Sequence, residues 1–198
     1  LIPADAFPWT APNGQTYDSG EFEAIMDVAL EGGAWSSFED RRTKSASNGK
    51  LRGISVSNYL ENTGAAGELI DVRFRDDGTV ALVPGAKDMG TSHRTPFMQI
   101  LSQHLGVPYE KIEVIQNDSD EMSPGASGSG GSKTLVGAGN AIVDAAGGVI
   151  ELGKKAAAHV LEAAEVDIEF NRGTFTVAGT DRTINIMVLA EYLQEAGD

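Results

Sequence analysis

Glu68-Leu69-Ile70-Asp71-Val72-Arg73-Phe74-Arg75-Asp76-Asp77-Gly78-Thr79-Val80-Ala81-Leu82-Val83 is the stretch that decides the fold class of this 198-residue chain. Residues 68–75 and 79–83 read as strands, and Asp76-Asp77-Gly78 between them is a strong hairpin turn. Just downstream, Phe97, Ile100, Leu101 and His104 share one face of a run over 96–105 that stops at Gly106, which predicts a helix. Val107-Pro108 then leads into a strand over 111–116. Because the connection over 106–110 is short, the hairpin and this strand are expected to share one sheet, with the helix packed on it.

Working outward, residues 117–131 form a loop without hydrophobic periodicity, followed by a long small-residue helix over 135–164. Gly147-Gly148 is where that helix can bend and pack closely, because side chains are missing there. The tail reads as a hairpin over 167–177, turning at Asn171-Arg172-Gly173, and a last helix over 185–195. Upstream, 51–61 reads as a strand. Phe22, Ile25, Met26, Ala29 and Leu30 mark a helix that Asp18 or Ser19 can cap and Gly32-Gly33 closes. A short helix over 36–44 would show a basic patch at Arg41 and Arg42, and Pro3, Pro8 and Pro12 make 1–13 an extended arm. The fold class is α+β, with helices layered on a mixed β-sheet. Residues 1–48 are the extended arm and helical lead-in, and 49–198 form the main domain.

Hydrophobic residues at 41% and charged residues at 22% describe a folded chain. With Cys 0, disulfides, thiolate zinc sites, iron–sulfur ligation and a catalytic thiol are excluded. Lys+Arg 15 against Asp+Glu 29 gives a net charge of −14, a field that repels phosphate backbones and argues against a nucleic-acid partner. Residues 135–153 approach membrane-span length, but Asn140, Asp144 and Glu151 interrupt them, so a buried helix is expected and no membrane partner. The opening Leu1-Ile2-Pro3 suggests a processed or excised piece of a longer chain. No basic stretch followed by an apolar one marks a signal peptide, and a cytoplasmic location is expected.

Two segments could carry chemistry. In Ser123-Pro124-Gly125-Ala126-Ser127-Gly128-Ser129-Gly130-Gly131-Ser132-Lys133-Thr134, successive Gly and Ser expose backbone amides just before a helix N-terminus, the make-up of an anion cradle; a flexible linker is the alternative. A phosphate-binding P-loop would need Gly at 127 and 132, where Ser stands, and a strand ending much closer. The second segment is Asp88-Met89-Gly90-Thr91-Ser92-His93-Arg94-Thr95. There Gly90 permits close backbone approach, and Thr91, Ser92 or Thr95 could cap the next helix; a plain capping turn is the alternative. His93, His104 and His159 show no metal-ligand spacing, and Asn117-Asp118-Ser119-Asp120-Glu121 lacks the Gly and terminal Glu of a calcium loop.

The order of these motifs resembles part of the molybdopterin-binding subunit of the xanthine dehydrogenase and aldehyde oxidase family, the molybdenum hydroxylases, over much of the second cofactor-binding domain. The likeness is carried by Leu1-Ile2-Pro3 with Phe7-Pro8, by Tyr17-Asp18-Ser19-Gly20, and by Gly49-Lys50-Leu51-Arg52-Gly53-Ile54. It continues through the Gly90 to Thr95 loop with Gln99, Leu105-Gly106-Val107-Pro108, Asn117-Asp118-Ser119-Asp120, and Gly128-Ser129-Gly130-Gly131-Ser132-Lys133-Thr134, which is similar to the family's GTGGSRS loop.

The resemblance implies an oxidoreductase that hydroxylates an aldehyde or N-heterocycle carbon with water-derived oxygen. It implies a molybdopterin-type molybdenum cofactor, in the plain or the cytosine dinucleotide form, with iron–sulfur clusters and FAD on other domains or subunits. The partners implied are the rest of the molybdenum subunit, iron–sulfur and flavin subunits, and a small-molecule substrate. The cofactor-binding residues it implies are Gly90, Thr91, Ser92, His93 and Thr95 in the first loop and Gly128, Ser129, Gly130, Gly131, Ser132, Lys133 and Thr134 in the second. No catalytic or metal-ligating residue is expected. The family's first loop reads GQGHxT; here Thr91 replaces the Gln and Ser92 the second Gly, so the amide donor is lost. The family's catalytic Glu, in a Gly-Glu motif, and the Gly-Gly-Phe-Gly segment of its first domain have no counterpart in these residues, so the 198 residues alone are expected to be inactive. A non-catalytic acidic interaction domain on the same scaffold is the alternative.

Overall fold

The computed structural model describes residues 1–60, 67–116, 118, 120–121 and 128–196. Glu61 at the end of the expected strand, Asn117 and Ser119 of the acidic run, and residues 123–127 at the head of the Gly/Ser loop lie outside the described residues. The chain divides into two compact units, Leu1–Leu60 and Glu61–Asp198.

In the first unit the proline-rich arm holds more structure than its sequence suggests. After a 3-10 turn at Ala4–Ala6, strand β1 (Trp9–Thr10) pairs antiparallel with β2 (Thr16–Tyr17), and the Trp9 and Tyr17 rings stack at 6.0 Å. Helix α1 (Phe22–Gly32) forms where the apolar spacing places it, and a 3-10 turn (Trp35–Ser37) leads into α2 (Phe38–Ser47), later than the expected 36–44. Arg41 is a tie rather than an open basic patch, because its guanidinium donates to the carbonyls of Gly33 and Ala34 at 2.9 and 2.7 Å and so caps the end of α1. The strand expected over 51–61 is not formed in the described residues. Residues 51–60 pair with no neighbour and Leu51 is fully exposed, and an extended run becomes a strand only when a partner takes its amides and carbonyls.

The second unit is built on the hairpin. Strand β3 (Ile70–Phe74) runs antiparallel to β4 (Val80–Pro84), and β4 is parallel to β5 (Ile112–Val114), so the expected mixed sheet has the order β3-β4-β5. Central β4 is buried throughout, as its unbroken apolar run requires. Helix α3 (Arg94–Leu105) packs on this sheet as expected, placing Phe97, Leu101 and Leu105 in one core with Val80, Leu82, Ile112 and Val114. Helix α4 (Thr134–Val160) joins that core through Ala138, Ile142 and Ala146.

A second sheet follows α4: β6 (Ile168–Asn171), β7 (Thr174–Val177) and β8 (Thr183–Asn185), all antiparallel, closed by α5 (Ile186–Ala196). The sequence reading missed β8, whose three residues carry too little pattern to register. The two halves of the unit meet turn to turn. Gly106 ends α3 with φ +65, and a Cβ there would overlap the carbonyl carbon of Arg172 and the nitrogen of Gly173.

Two expectations for α4 need correction. Gly147 and Gly148 are exposed and face open space; the close approach is at Gly153, where the Phe175 ring fills the missing side chain. The helix is also buried along one stripe only, with Leu135, Val136 and Leu152 exposed. Its length and apolarity would suit a membrane span, but here it packs against α3, β3, β6 and α5.

Candidate functional site

The chain leaves β4 at Pro84 and reaches Asp88, whose peptide is held by a side chain from just beyond β5. The Asp88 N–H donates to Gln116 Oε1 at 3.0 Å, and Gln116 Nε2 donates back to the Asp88 carbonyl at 3.5 Å. The Asp88 carboxylate then organises the turn after it. Its Oδ1 accepts the amides of Gly90, Thr91 and Ser92, each at 3.0 Å, and its Oδ2 accepts the amide of Arg94 at 3.2 Å. These bonds, led by that from Arg94, hold the carboxyl below the usual Asp range, against a partial desolvation that acts the other way.

Gly90 has φ +97 and Ser92 φ +60, so the tight turn relies on left-handed backbone at both positions. No side chain caps α3 through Thr91, Ser92 or Thr95; Asp88 takes the first helical amide instead. Thr91 Oγ1 is hydrogen-bonded to His93 Nδ1 at 2.7 Å, and the His93 ring lies stacked on Phe97 at 5.8 Å. Thr95 is exposed in the first turn of α3.

The second loop reaches α4 through Gly128 (φ +68), Gly131 (φ +54) and Ser132 (φ +53). The Lys133 amide donates to Gly130 O at 3.1 Å, and the first rung of the helix is Gly137 N–H to Lys133 O at 2.7 Å. The amides of Thr134, Leu135 and Val136 therefore precede the helical ladder and point out of its positive end. Thr134 itself is buried at the base.

One bond joins the loops across 42 residues: Ser129 Oγ donates a short hydrogen bond to the carbonyl of Lys87. The structure thus ties the loop over 128–134 to the carbonyl three residues before Gly90. Behind the loops, α3 and α4 touch where Ile100 meets Gly139, and share a shallow groove lined by Pro96, Gln99, Leu135 and Val136.

An anionic group fits this arrangement. A Cβ at Gly90, Gly128 or Gly130 would meet no protein atom within 4 Å, so the loops present open backbone rather than packed backbone. Among the described residues no three His, Cys, Asp or Glu side chains converge as a metal site, so the protein donors here are amides and hydroxyls. Asp88 heads the second candidate segment in the sequence, but neither it nor Gln116 is among the cofactor-binding residues that the resemblance implies. The Asp88-Met89-Gly90 order is the available signal, since an Asp two residues before a Gly favours an Asx-type turn. Nothing local marks Gln116.

The chain is similar to several known proteins. The sequence model of the molybdopterin cofactor-binding domain matches residues 29–197. The large subunit of nicotine 6-hydroxylase from Paenarthrobacter nicotinovorans is 30% identical over 188 residues, covering 87% of this chain and 23% of that protein. The large chain of carbon monoxide dehydrogenase from Hydrogenophaga pseudoflava is 28% identical over 202 residues, covering 94% and 25%. Among solved structures, a Cu,Mo-CO dehydrogenase superposes with a TM-score of 0.61 at 26% identity, covering 96% of this chain and 26% of that one. Quinoline 2-oxidoreductase from Pseudomonas putida 86 gives 0.57 at 26% identity, covering 100% and 27%. The chain spans about a quarter of the length of these relatives. With residues 29–197 matched, more than half of its length, this chain belongs to the molybdopterin cofactor-binding domain family.

Proposed function

We propose that this chain is the second cofactor-binding domain of the large subunit of a molybdenum hydroxylase, and that it seats the anionic end of the cofactor on residues 128–136. The observation that carries this reading is the Ser129 Oγ to Lys87 O bond, which ties the loop leading into α4 to the peptide that precedes Asp88 and the Gly90 turn. When bound, the cofactor supplies a molybdenum centre that oxidises an aldehyde or N-heterocycle carbon with oxygen from water, the electrons leaving through iron–sulfur clusters and flavin on other domains or subunits.

The work of this chain is to bind and orient. The backbone amides of Leu135 and Val136, exposed at the positive end of α4, hold phosphate oxygens without needing a particular side chain. A cytosine dinucleotide form would bring a second phosphate, for which the open backbone at Gly128 and Gly130 leaves room. The Thr91–His93 pair borders the site with a hydroxyl and a ring where the family carries a longer amide. The general base and the other half of the cage come from outside these 198 residues. The isolated chain is therefore expected to hold no molybdenum and to show no turnover with an artificial electron acceptor.

The test compares two substitutions in the intact enzyme, with molybdenum content measured by elemental analysis. Gly130→Val adds a side chain to space that no protein atom fills, so the fold should survive while the cradle is blocked and molybdenum falls. Thr91→Ala removes one exposed hydroxyl, a net effect of about 0.5 to 1.5 kcal/mol, and should leave the content largely intact. Loss of molybdenum in Thr91→Ala with full occupancy in Gly130→Val would show that residues 128–134 are a linker.

A further inference from the structure

Three successive amides and the first amide of a helix converge on a single group in the Gly90 turn, which is how a backbone grips a phosphate. Here the group is the chain's own Asp88 carboxylate. We propose that Asp88 is a built-in anion that closes the turn over 90–94 to phosphate and thereby directs the cofactor's anionic end to residues 128–136. The proposal deepens the cofactor-seating reading above and rests on it.

Two contacts fix the Asp88 charge in place. Gln116 holds the Asp88 peptide from both its N–H and its carbonyl, so the residue cannot readily swing away. Ser129 Oγ, bonded to the carbonyl of Lys87, keeps the Gly/Ser loop beside the peptide that precedes Asp88. A phosphate reaching the loops meets spent amides and a like charge at the Gly90 turn, whereas the amides of Leu135 and Val136 precede the helical ladder on exposed residues. Besides the His93 amide, which Asp88 does not take, the first turn still offers the Thr91 hydroxyl and the His93 ring. Asp88 is thus a positioning residue, acting through the donors it withholds.

The test follows backbone amide resonances of the 198-residue chain by NMR during titration with inorganic phosphate, against chloride at equal ionic strength. In the unaltered chain, saturable shifts are expected within 129–136 and none at Gly90, Thr91, Ser92 or Arg94. In Asp88→Ala, saturable shifts should appear at Gly90, Thr91 and Ser92, because phosphate takes the place the carboxylate held. Asp88→Asn keeps an acceptor oxygen and loses the charge, and should give the same new shifts with weaker saturation. It replaces the Ala variant if that one does not fold. A purely structural Asp88 would produce no new phosphate response in either variant. The proposal is overturned if phosphate moves the Gly90, Thr91 and Ser92 amides of the unaltered chain, or if those amides stay silent in a folded Asp88 variant. Silence within 129–136 in every chain refutes the seating reading instead, a result distinguishable from both.

Discussion

Replacing Gly106 by Ala tests the junction on which the second unit depends. Gly106 has φ +65, and forcing an L side chain into left-handed backbone costs about 1 kcal/mol. The added Cβ also overlaps the backbone between Arg172 and Gly173, neither of which can give by a rotamer change. The turn between β6 and β7 must move, and with it the Gly173 carbonyl that accepts the Ile186 amide at 2.7 Å where α5 begins. Losing that bond costs about 1 kcal/mol, and loosening the packing around Phe175 should add a similar amount. The sum is roughly 3 kcal/mol, which for a chain of this size lowers Tm by about 6 to 12 °C.

Gly78→Ala is the matched control for that experiment. Gly78 has φ +73 in the first hairpin but no heavy atom near its would-be Cβ, so only the conformational cost remains, about 1 kcal/mol or 2 to 4 °C. Thermal melts followed by circular dichroism at 222 nm compare the two variants. Equal Tm losses would refute the turn-to-turn contact, since only that contact distinguishes the sites.

Phe175→Ala empties a fully buried ring site between Gly153 and Phe170 and should cost about 3 to 5 kcal/mol, read by urea denaturation; a loss below about 1 kcal/mol would show the ring is not core. Asp88 has a depressed pKa in the folded chain, so the order it imposes on 90–94 is complete above the ordinary Asp value near 4 and fades only as pH falls through the lower, folded value. The amide shifts of Gly90, Thr91 and Ser92 should therefore titrate at a lower pH than an unpartnered Asp, and a midpoint at or above about 4 contradicts the bonding described. Asp77 accepts the hydroxyl and the amide of Thr79, which likewise hold its pKa down, so Thr79→Val should move the Asp77 midpoint upward in carboxyl NMR; an unchanged midpoint would show that the hydroxyl bond is not made in solution.

The sequence by itself determined the features whose causes lie within a few residues. Asp76-Asp77-Gly78 specified a hairpin, Gly106 stopped α3, Asn171-Arg172-Gly173 turned the second hairpin, and the Gly/Ser run led into a helix start. These follow from allowed backbone angles and hydrophobic period, which the chain carries locally. Tertiary structure alone decided whatever needs a partner from elsewhere in the sequence. Residues 51–60 had strand composition and no neighbour, and Gly147-Gly148 had room for packing while Phe175 went to Gly153 instead. The site divides in the same way. The two loop segments stood out in the residues, but that Ser129 reaches Lys87 and that Gln116 holds the Asp88 peptide did not. A hydrogen bond is a property of two groups, and when they stand 28 or 42 residues apart only the folded backbone brings donor and acceptor within reach.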